Sequence, residues 1–168
     1  MASPIANLPE TLKIRTIDNQ VIEVTGKLIN ESEVLKKAYE MHDNSEVGEI
    51  VVSVVSEGLQ NTLKLLEFYD LEKPYVPASS WSNRKPFMEE SKAALEFLKS
   101  LPDDEMFAIN YVVDGLDCKR LIDCCMLFFL NKVTESNGTK ELREMFNLKN
   151  DYTEAEEAEL RARHNATR

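Results

Sequence analysis

The chain has 168 residues, 43% of them hydrophobic and 30% charged. That is enough for one domain, or a small domain with a helical extension, and too little for two large domains. Thirty acidic residues against 20 basic ones leave a net charge of −10, a field that repels phosphate backbones and argues against nucleic acid or an anionic membrane surface as partner.

In chain order, "LKIRTIDNQVIEV" alternates apolar Leu12 and Ile14, turns at Asp18-Asn19 and resumes with Val21, Ile22 and Val24, which predicts a β-hairpin. In "NESEVLKKAYEMH" Asn30 is placed to cap a helix with Glu33 three residues on, and Val34, Leu35, Ala38 and Tyr39 make its apolar face. "EIVVSVV" is a β-branched run suited to a buried third strand, and Ser56 is placed to cap the helix that carries Leu59, Leu63, Leu66 and Tyr69. From Glu72 to Phe87, "EKPYVPASSWSNRKPF" has three prolines and no periodicity and reads as a linker or long surface loop. Its Trp81, the only tryptophan, either folds back onto the core, which is favoured, or anchors a partner.

After Met88 only helices are expected. Ala94, Leu95, Leu98 and Leu101 mark one; "PDDEMFAINYVVDG" gives a second with Gly115 as its stop; Cys118 to Val133 is apolar nearly all round and is expected to be buried by its neighbours. Asn137-Gly138 breaks the chain before a short helix from Thr139 to near Phe146. The last helix opens at Thr153, whose capping box with Glu156 is followed by the pairs Glu157/Arg161 and Glu159/Arg163. With only Ala155, Ala158, Leu160 and Ala162 to bury, this helix is expected to need a partner to complete its packing. The expected organisation is α+β: residues 10–72 as an α+β part, 73–87 as a linker loop and 88–165 as a helical part.

Little here offers reactive chemistry. Cys118, Cys124 and Cys125 lack CxxC spacing and read as small core residues, and His42 and His164 have no ligand-spaced cysteine. The five glycines form neither GxGxxG nor a P-loop. Asp103-Asp104-Glu105 is explained by a helix dipole, and the sequons beginning at Asn30, Asn137 and Asn165 are treated as chance. Neither an enzyme nor a cofactor is expected. The longest apolar run, "CCMLFFL" from Cys124 to Leu130, is far short of the ~18 residues that span a bilayer, and "MASPIANLPETLKI" lacks the regions of a signal peptide, so the chain is expected to be intracellular.

At "LDCKRLID" (Leu116 to Asp123), "EFLK" (Glu96 to Lys99) and above all "REMFNLKNDYTEAEEAELR" (Arg143 to Arg161), the chain resembles the S-phase-kinase-associated (Skp) family, adaptors of Skp/cullin/F-box (SCF) ubiquitin ligases. The resemblance covers about residues 12–163. It implies a POZ (BTB-like) N-terminal half followed by a helical extension, and a non-catalytic bridge in cytoplasm and nucleus between F-box proteins and a cullin. It also implies an F-box-binding set at Leu127, Leu130, Phe146, Asn147, Leu148, Asn150, Asp151 and Tyr152, and a homodimer through the POZ half. The family's cullin-facing Asn-Tyr pair falls on Asp114-Gly115, the tryptophan before "EFLK" is Ala93, the first-half acidic loop is shortened to "MHDNSEVGE", and "RARHNATR" stands where the family tail carries a tryptophan. These departures describe a diverged paralogue. They leave a second reading, a POZ-fold scaffold that self-associates or binds other helical proteins without a cullin.

Overall fold

A computed structural model describes residues 5, 7–41, 49–78, 80–136, 138–149 and 151–166, with the backbone alone at 81 and 166. Asn150, His42 and Asn137 and the side chain of Trp81 therefore lie outside the described residues. The fold is α+β. The chain falls into two compact units, Met1–Leu130 and Asn131–Arg168.

In the first unit, β1 (Thr11–Arg15) and β2 (Val21–Thr25) form the expected hairpin. Alternation sends Leu12, Ile14 and Val24 into the core. The turn closes with the Thr16 N–H donating to Gln20 O at 2.9 Å, and Asn19 has φ +61°, a left-handed conformation in which asparagine is enriched. β3 (Ile50–Val51) runs parallel to β1, giving the order β2-β1-β3. The third strand is thus shorter than its β-branched run suggests. Val52 and Val54 remain buried beyond it, tied by Val52 N–H to Arg15 O and Ile17 N–H to Val54 O.

Two helix starts differ from expectation, and both are decided by groups distant in sequence. Asn30 lies inside the short α1 (Leu28–Glu31), where its side chain exchanges hydrogen bonds with the backbone of Ile5. The cap of α2 (Glu33–Met41) is Ser32, whose Oγ accepts from Leu35 N–H at 3.1 Å and donates to Leu116 O at 2.5 Å. At α3 (Ser56–Leu66), Ser56 does not cap its own helix. Asp18, in the hairpin turn, accepts from Ser56 N–H at 3.0 Å and Ser56 Oγ at 2.5 Å. Hydrogen bonds from Ser56 and then Thr16 lower the Asp18 carboxyl to about 2.

The stretch read as a linker is half helical: α4 occupies Trp81–Glu90, capped by Ser80 and carrying Pro86 internally. Proline and serine composition concealed it, because a serine at the cap and a single interior proline remove periodic signal without forbidding the helix. α5 (Lys92–Ser100), α6 (Asp103–Gly115) and α7 (Lys119–Glu135) follow. α6 ends at Gly115, where the stop was expected, but the left-handed residue of the turn is not the glycine. The helix ends through Asp117 at φ +51°, with Asp117 N–H donating to Asp114 O and Cys118 N–H to Val113 O, the paired bonds of a Schellman motif.

One core runs from Leu12 to Phe128 and includes side chains of β1, α3, α5, α6 and α7. The division into compact units falls after Leu130. Cys118, Cys124 and Cys125 lie in this core, where burial pushes the thiols of Cys118 and Cys124 up to about 12 and about 11 and that of Cys125 higher still, as expected of apolar packing residues.

Candidate partner-binding site

The second unit comprises the end of α7, α8 (Thr139–Met145) and α9 (Glu154–Ala166). No described residue between 131 and 165 is fully buried. α8 ends in a second Schellman motif: Asn147, at φ +50°, donates from its N–H to Glu144 O at 3.2 Å, and Leu148 N–H donates to Arg143 O at 2.8 Å. The asparagine in "FNLK" thus has a backbone reason, since the position needs a residue that tolerates the left-handed region. The motif turns the chain so that Leu148 is 61% exposed and Tyr152 49% exposed, with Phe146 half-buried and Asp151 in solvent.

Charge rather than burial holds α9 to this turn. The Arg143 guanidinium donates to Glu157 Oε1 at 2.5 Å and lies 5.5 Å from the Tyr152 ring centroid, a cation–π contact. Glu157 also accepts from Arg161, and Arg163 donates to Glu159. The capping box forms: Thr153 N–H and Oγ donate to Glu156 Oε2, each at 2.8 Å, and Glu156 N–H donates back to Thr153 Oγ. These hydrogen bonds lower the Glu156 carboxyl, the Thr153 backbone bond first. Sequence reading found the box and the four-residue pairs but not Arg143. Its partners lie across a turn, outside any helical spacing.

On α7 in the first unit, Leu127 is a core residue, 4% exposed, whereas Leu130 is 42% exposed. Met126, four residues before Leu130 and 53% exposed, shares its face of the helix. The helix is therefore not buried all round. An apolar stripe stays open, and the sequence missed it because Leu127 and Met126 are equally apolar neighbours.

The "LDCKRLID" block proves to be structural. Arg120 is buried and donates to Glu31 through two nitrogens at 2.9 and 3.1 Å and to Lys73 O at 2.8 Å, with its guanidinium 5.6 and 5.8 Å from the rings of Tyr69 and Tyr75. Asp123 accepts from Tyr75 OH at 2.5 Å and Ala78 N–H at 2.7 Å. Arg120 and Asp123 together tether the segment from Lys73 to Ala78 onto α7. Neither was singled out from sequence, because a buried ion pair and a surface charge look alike there. Asp114 and Gly115 are exposed in the last turn of α6, and a Cβ placed at Gly115 meets Val54 Cγ1 at 3.2 Å. A side chain there must press on a buried valine.

Among the described residues no His, Cys, Asp or Glu cluster suits a metal ion, and no helix is long and apolar enough to cross a membrane. Comparison with known proteins agrees with the resemblance. The family described as "Skp1 family, dimerisation domain" matches residues 119–167, from the start of α7 through α9. The chain is also 27% identical over 157 residues, 89% of each sequence, to an S-phase kinase-associated protein 1 homolog of Tetrahymena thermophila. The α8 turn, the capped α9 and the buried Arg120 of α7 all lie in the matched stretch, which is where the chain is similar to the Skp family model.

Proposed function

We propose that this protein is a non-catalytic adaptor of an SCF-type ubiquitin ligase that binds F-box substrate receptors through its C-terminal helices and bridges them to a cullin. The observation that carries this is the second unit itself: Leu148, Tyr152 and Leu160 are exposed and no described side chain from 131 to 165 is fully buried. Apolar surface without a core of its own is half of a helix-in-groove interface. Phe146, Leu148 and Tyr152 on the α8 turn and, separately, Leu130 on α7 are the side chains assigned to receptor contact. Asn147 shapes the turn, and Asp151 contributes charge at the rim.

Copurification with a panel of F-box proteins and cullins tests the bridge. Recovery of both supports it, and recovery of F-box proteins without any cullin reduces the role to a partial adaptor. Leu148→Ala should weaken F-box binding by about tenfold or more, as expected of a buried anchor, with an unchanged melting temperature because Leu148 is exposed in the free chain. Full-strength binding by that variant removes Leu148 from the interface.

A second reading, a scaffold of this fold that binds helical partners without a cullin, is favoured by Asp114 and Gly115. Where the family presents Asn-Tyr, this surface has a charge and no side chain beyond it. Asp114→Asn combined with Gly115→Tyr should increase cullin binding under the adaptor reading. The melting temperature of that variant is followed in parallel because of the Val54 contact.

A further inference from the structure

β2 lies at an edge of the sheet. Its backbone pairing fixes which residues face outward. Gly26 N–H donates to Glu10 O at 3.1 Å and Thr16 N–H to Gln20 O at 2.9 Å, so the hydrogen-bonded pairs of this antiparallel ladder fall on even positions, including Leu12↔Val24 and Ile14↔Ile22. The backbone groups of Val21, Glu23 and Thr25 consequently point away from β1. Among the described residues, no strand pairs with them. Beside this edge lies a groove of about 340 Å³, floored by Val24, Leu66 and Tyr69, with Leu63 and Leu71 along it and Glu23 and Glu67 at its margin. An unpaired strand edge with an apolar slot beside it is the arrangement used for strand addition, where main-chain bonds give affinity and alternate side chains give specificity.

Charge selects the occupant. A second copy joined symmetrically through Glu23 would set like charges opposite each other, which is destabilising, between two chains that each carry −10. Acidic segments are disfavoured on the same ground. We propose that the β2 edge and its groove dock an extended basic segment of a partner protein. The segment adds as a fourth strand, seats one apolar side chain over Val24 and Leu66, and sets lysine or arginine against Glu23 and Glu67. This surface is independent of the F-box reading.

The test uses the full chain, isotope-labelled, with an acetylated Lys-Val-Lys-Val-Lys-Val hexapeptide as probe and two control peptides: Glu in place of Lys, and every backbone amide N-methylated so that neither edge can donate. The basic peptide should slow hydrogen exchange at the amides of Val21, Glu23 and Thr25 by about tenfold or more, leaving Ile22 and Val24, already bonded to β1, unchanged. The double variant Glu23→Gln, Glu67→Gln should weaken binding by about tenfold at low salt and by less at high salt. Both controls should fail to bind. The proposal is overturned if millimolar basic peptide leaves the three amides unprotected, or if either control binds as well. It is equally overturned if the three amides become protected in the free chain as its concentration rises, which identifies a second copy as the occupant.

Discussion

Single residues in this protein do work that their neighbours in sequence do not reveal. Arg120 places a guanidinium in the core and is satisfied by Glu31, Lys73 O and two tyrosine rings. Removing one partner of such a pair leaves a buried charge, so Glu31→Ala should lower unfolding free energy by about 3 kcal/mol. Urea titration measures this, and a loss under about 1 kcal/mol would show that Glu90, whose carboxylate lies 4.0 Å from Arg120 Nη1, the Lys73 carbonyl and the rings suffice. Asp18 acts through hydrogen bonds that require its ionised form. Its carboxyl is lowered from 3.8 to about 2, so its contribution is complete above the unfolded value and fades as pH falls toward 2. Wild type should therefore exceed Asp18→Asn in urea midpoint at pH 7, and the two should converge near pH 2. Asp117 and Asn147 make the complementary point: each occupies a left-handed position at a helix end, so an Asp or Asn without obvious chemistry is there for its backbone.

Among the elements, the contrast lies between helices fixed by burial and one fixed by its ends. α3, α5, α6 and α7 each contribute buried side chains, and their apolar periodicity predicted them well. α9 has no buried residue among those described and depends on its capping box, its four-residue ion pairs and Arg143. Thr153→Ala should destabilise this helix by about 1 kcal/mol. Hydrogen exchange at Glu156 and Glu157 should accelerate about fivefold while exchange in α5 and α6 stays as in wild type. If global stability falls instead, α9 belongs to the cooperative core. The α9 box closes within four residues and was correctly read, whereas Asp18 reaches α3 across 38 residues. At α2 the cap of Ser32 on Leu35 is also local, and the misreading came from Asn30, which is drawn off by the Ile5 backbone 25 residues away.

At the scale of the whole molecule, every buried hydrophobic residue identified lies at or before Phe128. A chain ending at Ser136 should therefore unfold cooperatively within about 2 °C of the full chain, while losing F-box binding if the adaptor reading holds. A much larger fall, or a broad transition, would show that residues after 136 support the fold. The sequence by itself determined what local periodicity and short-range spacing control: the hairpin, the amphipathic helices, the capping box of α9, the scarcity of apolar material around it and the motifs of the Skp resemblance. Only the tertiary structure decided what depends on residues distant in the chain. It joined α4 to α6 and most of α7 with the sheet in one unit, buried Leu127 while exposing Met126 and Leu130, turned "LDCKRLID" from a family signature into a buried clamp, and left one edge of β2 without a paired strand among the described residues. The physical reason is that burial and strand pairing are properties of the neighbours a residue acquires on folding, and a side chain's own identity does not name them.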